Sequence, residues 1–137
     1  MEDYCIQGTY LAGREEIPQA GIMEPRENDD EGNLQIKGYL CKEPPLNHKA
    51  SQLEGRVIFS KKETILKFDL RDGWILDYFE VKKINKEEGL EGTYFGIWRN
   101  KEKSGMNIPT PAQEGAAYFI VKRIPEMRKI ISNMKSL

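Results

Sequence analysis

The chain has 137 residues, 39% hydrophobic and 31% charged, and its 21 Lys and Arg nearly balance 22 Asp and Glu. That length fits a single domain, residues 1–137, burying roughly 68% of its unfolded surface without staples, and the composition excludes a disordered or fibrous chain. No apolar run approaches the 18 or so residues that cross a bilayer, and the start Met1, Glu2, Asp3 is acidic where a secretion signal is basic, so the chain is expected to be cytoplasmic.

Apolar residues alternate over short stretches separated by Gly, Pro, Asn and Asp, the pattern of strands. The first strand is predicted over Cys5–Leu11, with Ile6, Gly8 and Tyr10 on one face. A weaker second strand is predicted near Ala20–Glu24, and Pro25–Gly32, with a charge of about −3, reads as a solvated hairpin tip. The third strand, Leu34–Cys41, sets Leu34, Ile36, Gly38 and Leu40 against Gln35, Lys37, Tyr39 and Cys41, and Pro44 and Pro45 end it. The fourth and fifth, Leu53–Phe59 and Thr64–Leu70, alternate in the same way, and Asp72-Gly73 supplies the positive φ of a short hairpin before the sixth, Trp74–Lys83. Asn85–Gly89 is a charged turn. The seventh strand covers Gly92–Trp98, a long loop runs from Arg99 to Gly115 with Pro109 and Pro111, and the eighth covers Ala116–Arg123.

The period then changes. Pro125 suits a first helical turn, and Met127, Ile130, Ile131 and Met134 fall at helical spacing, so a short amphipathic helix is predicted over about 125–135. Consecutive strands with short connections favour antiparallel pairing, and closing the sheet removes its edges. The expected fold is therefore mainly β: an eight-stranded antiparallel up-and-down barrel with a C-terminal α-helix, with a two-sheet sandwich as the alternative.

Two resemblances follow from these segments. Gly92-Thr93-Tyr94-Phe95-Gly96-Ile97-Trp98 resembles the strand openings of small ligand-binding barrels of the lipocalin and avidin type, although Gly8-Thr9-Tyr10 stands where lipocalins carry an N-terminal Gly-x-Trp. Gly38-Tyr39-Leu40, the run Leu53–Ile58, Gly92-Thr93-Tyr94, Trp98 and the run Gly115–Ile120 are similar in order to the substrate-receptor barrel of the GID ubiquitin ligase. That resemblance implies a peptide held in the barrel mouth, with its reading acid and aromatic at Glu102 and Tyr118.

Strand aromatics are the main functional signal, since a cavity with aromatic walls and a few polar tips is a binding site. The candidate ligand-binding residues are Tyr39, Trp74, Tyr94, Trp98, Glu102 and Tyr118. Catalysis has little support. His48 is the single histidine, Cys41 or Ser51 beside it lacks an activating third group, and Asp69, Asp72 and Asp77 form no evident acid pair. No phosphate loop, zinc spacing or dinucleotide fingerprint is present, so no metal and no cofactor are expected. Cys5 and Cys41 are too few for a disulfide scaffold and are expected to be buried free thiols.

Charge is uneven: residues 1–98 carry 13 Lys and Arg against 19 Asp and Glu, about −6, and residues 99–137 carry 8 against 3, about +5. The expectation is a non-enzymatic module holding a small hydrophobic or amphipathic molecule or a peptide segment in the barrel mouth. The alternative is a protein-interaction or inhibitor module using its outer surface and the 99–115 loop. Neither nucleic acid nor membrane is an expected partner, given a net charge of −1 and a helix whose apolar face suits the barrel.

Overall fold

The computed structural model describes residues 3–42, 50–73, 75–103 and 113–124. They form eight strands in chain order: β1 Tyr4–Ala12, β2 Glu15–Asn28, β3 Leu34–Lys42, β4 Ser51–Phe59, β5 Thr64–Asp72, β6 Ile75–Lys83, β7 Gly92–Lys103 and β8 Glu114–Arg123. Each pairs antiparallel with the next, and β1 with β8, so the sheet closes into an up-and-down barrel rather than a sandwich. The predicted terminal helix, His48 and Trp74 lie outside the described residues.

Alternation decides which side chains line the lumen. Leu66, Phe68 and Leu70 on β5 and Phe79 and Val81 on β6 are buried, while Lys67 and Asp69 between them face outward. Large rings meet in the middle of the barrel. Phe68 stacks on Phe79 at 4.9 Å, Phe119 sits edge-on to both at 5.6 Å, and Tyr10 contacts Phe79 at 5.5 Å and Trp98 at 4.7 Å. Such a ring-filled interior is the small-barrel case in which side chains occupy the lumen. Glycines on the inward face let the strands close this tightly: a Cβ on Gly8 would stand 1.9 Å from the Tyr118 carbonyl oxygen, and one on Gly96 2.0 Å from that of Glu80.

Two strands depart from expectation. The second is 14 residues long rather than five, because it is staggered between its neighbours: β1 pairs with Glu15–Met23 and β3 with Gln19–Asn28. Pro18 lies above the reach of β3 and Pro25 below that of β1, so each proline falls where β2 has one neighbour only, the position that tolerates a missing N–H. The hairpin tip narrows to 29–33, where Asp29 Oδ1 accepts from the amides of Glu31 and Asn33, both at 2.9 Å. The seventh strand continues through Lys103, and Arg99 pairs with Glu114, so both ends of the predicted 99–115 loop are strand, and its residues 104–112 lie outside the described residues. The thiols also differ from expectation. Cys5 and Cys41 are free but half-buried, and Cys5 donates its thiol hydrogen to the Lys122 carbonyl at 3.4 Å.

Candidate functional site

The two ends of the lumen differ in chemistry. At the lower end, where the 84–91 connection joins β6 to β7, Leu90 is 5% exposed and joins the core, and the Tyr94 hydroxyl donates to the Leu90 carbonyl at 2.7 Å. Burial raises the Tyr94 pKa, so its phenol stays neutral as an apolar wall with one satisfied polar tip.

The upper end, where β1 turns into β2 and β5 into β6, is polar. Asp77 follows the inward alternation of Phe79 and Val81, and Asn100 that of Tyr94 and Trp98; the two are register partners, and the Asn100 amide donates to the Asp77 carboxylate. Directly above them the β6–β7 register slips, because Leu76 pairs with Glu102 while Asp77 pairs with Asn100, leaving Lys101 as the extra residue of a bulge. A bulge bends its strand and interrupts the ladder, here at the rim of the barrel. Across the lumen, burial first and the Asp77 charge second push the Tyr10 phenol up to about 12. Gln19 stands beside Tyr10 on the same face, since Gln19 pairs with Gly8 and Tyr10 with Ile17, and it is 3% exposed.

Two buried oxygens at this end, Gln19 Oε1 and Asn100 Oδ1, accept no hydrogen bond from the described residues. Asn100 has its amide nitrogen committed to Asp77, which fixes the side chain with its oxygen as a spare acceptor. Buried acceptors left in this state cost roughly 1–3 kcal/mol each and call for an explanation. Asn100 Oδ1 thus stands beside the Asp77 carboxylate, and Gln19 Oε1 is a second spare acceptor at the same end of the barrel, on β2; each suits a donor such as an ammonium, an amide N–H or a hydroxyl. Tyr10 adds versatility, because its neutral hydroxyl can both donate and accept a hydrogen bond.

The candidate residues fall in different places. Trp98, 2% exposed, lies at the upper end against Tyr10, and Glu102 stands above it on β7 opposite Leu76. Tyr94 lines the lower end. Tyr39 and Tyr118 point out of the barrel, 54% and 40% exposed, and share no surface with Tyr94 and Trp98. Trp74 is among the undescribed residues.

Known proteins supply no template. The chain matches no family model, no curated protein and no solved structure. Among the described residues no group of three or more His, Cys, Asp or Glu is placed to hold a metal ion, and no helix is long and apolar enough to cross a membrane.

Gln19 and Asn100 are missed by sequence reasoning for a shared reason. Each lies just beyond a predicted strand end, Ala20 for the second strand and Trp98 for the seventh. The signal available is a polar residue at an inward position: Gln19 sits two residues from Ile17 and four from Met23, and Asn100 two from Trp98.

Proposed function

We propose that the chain is a non-enzymatic binding module that takes the donor-bearing end of a small amphipathic molecule or peptide segment at the upper end of its lumen. The observation that carries this reading is that the buried oxygens of Asn100, which is bonded to Asp77, and of Gln19 on β2 at the same end both lack a hydrogen-bond donor. The stacked rings below limit depth, so the donor group reaches the acceptors while the apolar remainder lies at the rim against Ile17 and Ala12, which pack on the core. The likeness of Gly92–Trp98 to lipocalin and avidin barrels, and of the longer series of blocks to the GID receptor barrel, supports use of the mouth. The free thiols suit a reducing, cytoplasmic setting.

Native mass spectrometry of the purified protein, followed by titration with short peptides and alkylamines, tests the proposal. Saturable binding of free amines is expected, weakened roughly 10- to 100-fold by Asn100→Leu, as for loss of a hydrogen bond to a charged group. Absence of saturable binding at millimolar concentrations, or unchanged affinity in Asn100→Leu and Gln19→Met, would overturn it.

A further inference from the structure

The outside of the barrel has two different halves. Over β4, β5 and β6 it is a charged lattice: Lys67 pairs with Glu80 at 3.1 Å, the Tyr78 hydroxyl donates to Glu80 at 3.0 Å, and the Arg99 guanidinium lies 5.1 Å from the Tyr78 ring. Over β7, β8 and β1 the alternation is the same but the outward side chains change. Phe95 pairs with Tyr118, Ile97 with Ala116 and Thr9 with Tyr118, and Leu11 continues the β1 row. Between Thr93 and Ile97 on β7, Ala116 and Ile120 on β8, and Cys5 and Leu11 on β1, the outward positions carry no charge. Arg99, next along β7, lies over Tyr78 on the charged half, and the uncharged character runs on to Ile22 and Tyr39, register partners on β2 and β3. These are not buried residues. Phe95 is 51% exposed, Ile97 48%, Tyr118 40% and Leu11 39%.

From this surface we infer that the chain associates with a second copy of itself through the outer face of β7, β8 and β1, centred on Phe95 and Tyr118. Area is the first argument. With aromatic side chains presenting 150–250 Å² each when open, the exposed fractions of the four central residues and their uncharged neighbours come to on the order of 400 Å², comparable to the larger apolar patches of monomers that serve as contact sites. That is about the apolar share of the roughly 800 Å² per partner in a standard interface, of which a little over half is apolar.

Charge is the second argument. A two-fold contact sets a surface against its own copy, so a patch of one sign would repel itself, whereas this patch is neutral. Its β6 border is compensated within the chain, since Glu80 beside Ile97 pairs with Lys67 and Lys82 beside Phe95 pairs with Glu63 at 3.3 Å, so this rim sets no excess of one sign against a second copy. Sheet faces also suit such packing, because two faces of one twist stack at a small angle with interdigitating side chains. The contact lies on the outer wall and leaves the lumen end of Gln19 and Asn100 unobstructed, so the two proposals stand or fall separately.

Sedimentation velocity of the full chain from 1 to 200 µM tests this, with Phe95→Arg and Tyr118→Arg as disrupting variants and Arg56→Glu, on the charged half, as control. The expected result is a concentration-dependent species of twice the 15.8 kDa chain mass, lost in both disrupting variants and kept in the control. Hydroxyl-radical labelling of the unaltered protein reads the same surface without a substitution: Phe95 and Tyr118 should be protected at the higher concentration and Tyr78 not. A chain that stays monomeric at 200 µM, because another segment or another protein covers this face, overturns the inference. So does a dimer in which Phe95 and Tyr118 remain equally labelled at both concentrations.

Discussion

Trp98 donates its indole N–H to the carbonyl of Leu11 at 2.7 Å, joining β7 to β1 across the strand that separates them. The bond passes over Gly115 of β8, where a Cβ would lie 2.1 Å from that carbonyl oxygen and 2.9 Å from the indole nitrogen. It also stands where the β1–β8 register ends, at Tyr10 and Ala117, so a carbonyl just beyond the ladder is satisfied by a side chain. Gly115→Ala should therefore destabilise by about 2–3 kcal/mol through overpacking, and Trp98→Phe by about 1–2 kcal/mol through the orphaned carbonyl and the lost ring volume. Because both changes strike one bond, the double variant should cost at least about 0.5 kcal/mol less than their sum. Urea unfolding of the four proteins measures it, and strict additivity would show that the bond contributes nothing.

Tyr10 makes the fold sensitive to alkali. Its phenol is pushed up to about 12 by burial and by Asp77, whereas in the unfolded chain it titrates near 10. The raised value contributes stability that is complete below pH 10 and is lost as pH rises through about 12, because only the unfolded chain sheds the proton in that window. A shift of this size corresponds to about 2–3 kcal/mol at full extent. Denaturant unfolding between pH 9 and 12 should show a falling midpoint, with a shallower fall in Tyr10→Phe. Tyr78, also pushed up to about 12 by burial and then by its bond to Glu80, is more open to solvent and adds less. A midpoint that is flat across this range would contradict the buried, neutral Tyr10.

Gln19 separates stability from binding. Its buried oxygen is unsatisfied in the free protein, so Gln19→Met, close in volume and without the polar atoms, should raise the unfolding free energy by about 1 kcal/mol. The same change should weaken any ligand that donates to that oxygen. Gain of stability with loss of affinity is the mark of a site maintained against the fold's own preference. If Gln19→Met is destabilising by more than about 1 kcal/mol, the side chain is serving the barrel and not a ligand.

The strands themselves are legible in the sequence because most have one polar face. On β5, Lys67 and Asp69 against Leu66, Phe68 and Leu70 fix both the period and the side that faces inward. On β7 and β8 only the period can be read: Tyr94, Gly96 and Trp98 alternate with Thr93, Phe95 and Ile97, and Ala117 and Phe119 with Tyr118 and Ile120, so both faces look like a core. Sequence pattern alone therefore groups Tyr118 with Trp98, although a one-residue offset sends it to the opposite side of the wall. Tyr39 shares a face with Gln35 and Lys37, and that signal does point outward. The ambiguity of β7 and β8 in sequence and the apolar outer face in structure are one fact: over Gly92–Trp98 and Gly115–Val121 both faces of these strands lack charge.

Glycines in this barrel differ in what they do, and alanine substitution should distinguish them. Gly13, in the turn between β1 and β2, has φ 66°, and a Cβ added there would meet no atom within 4 Å, so alanine encounters only backbone strain. The expected cost of Gly13→Ala is about 1 kcal/mol. At Gly96 an added Cβ would stand 2.0 Å from the Glu80 carbonyl oxygen and 2.8 Å from the Val81 Cα, both backbone atoms that no rotamer change can move. Gly96→Ala must push β6 away from β7, disturbing the ring stack of Phe79 with Trp98 at 6.4 Å, and should cost about 3 kcal/mol. Thermal unfolding monitored by near-ultraviolet dichroism checks both, since Gly96→Ala should also weaken the aromatic signal while Gly13→Ala leaves it intact. Equal midpoints for the two variants would mean that inter-strand distance at Gly96 is not a constraint on how this barrel closes.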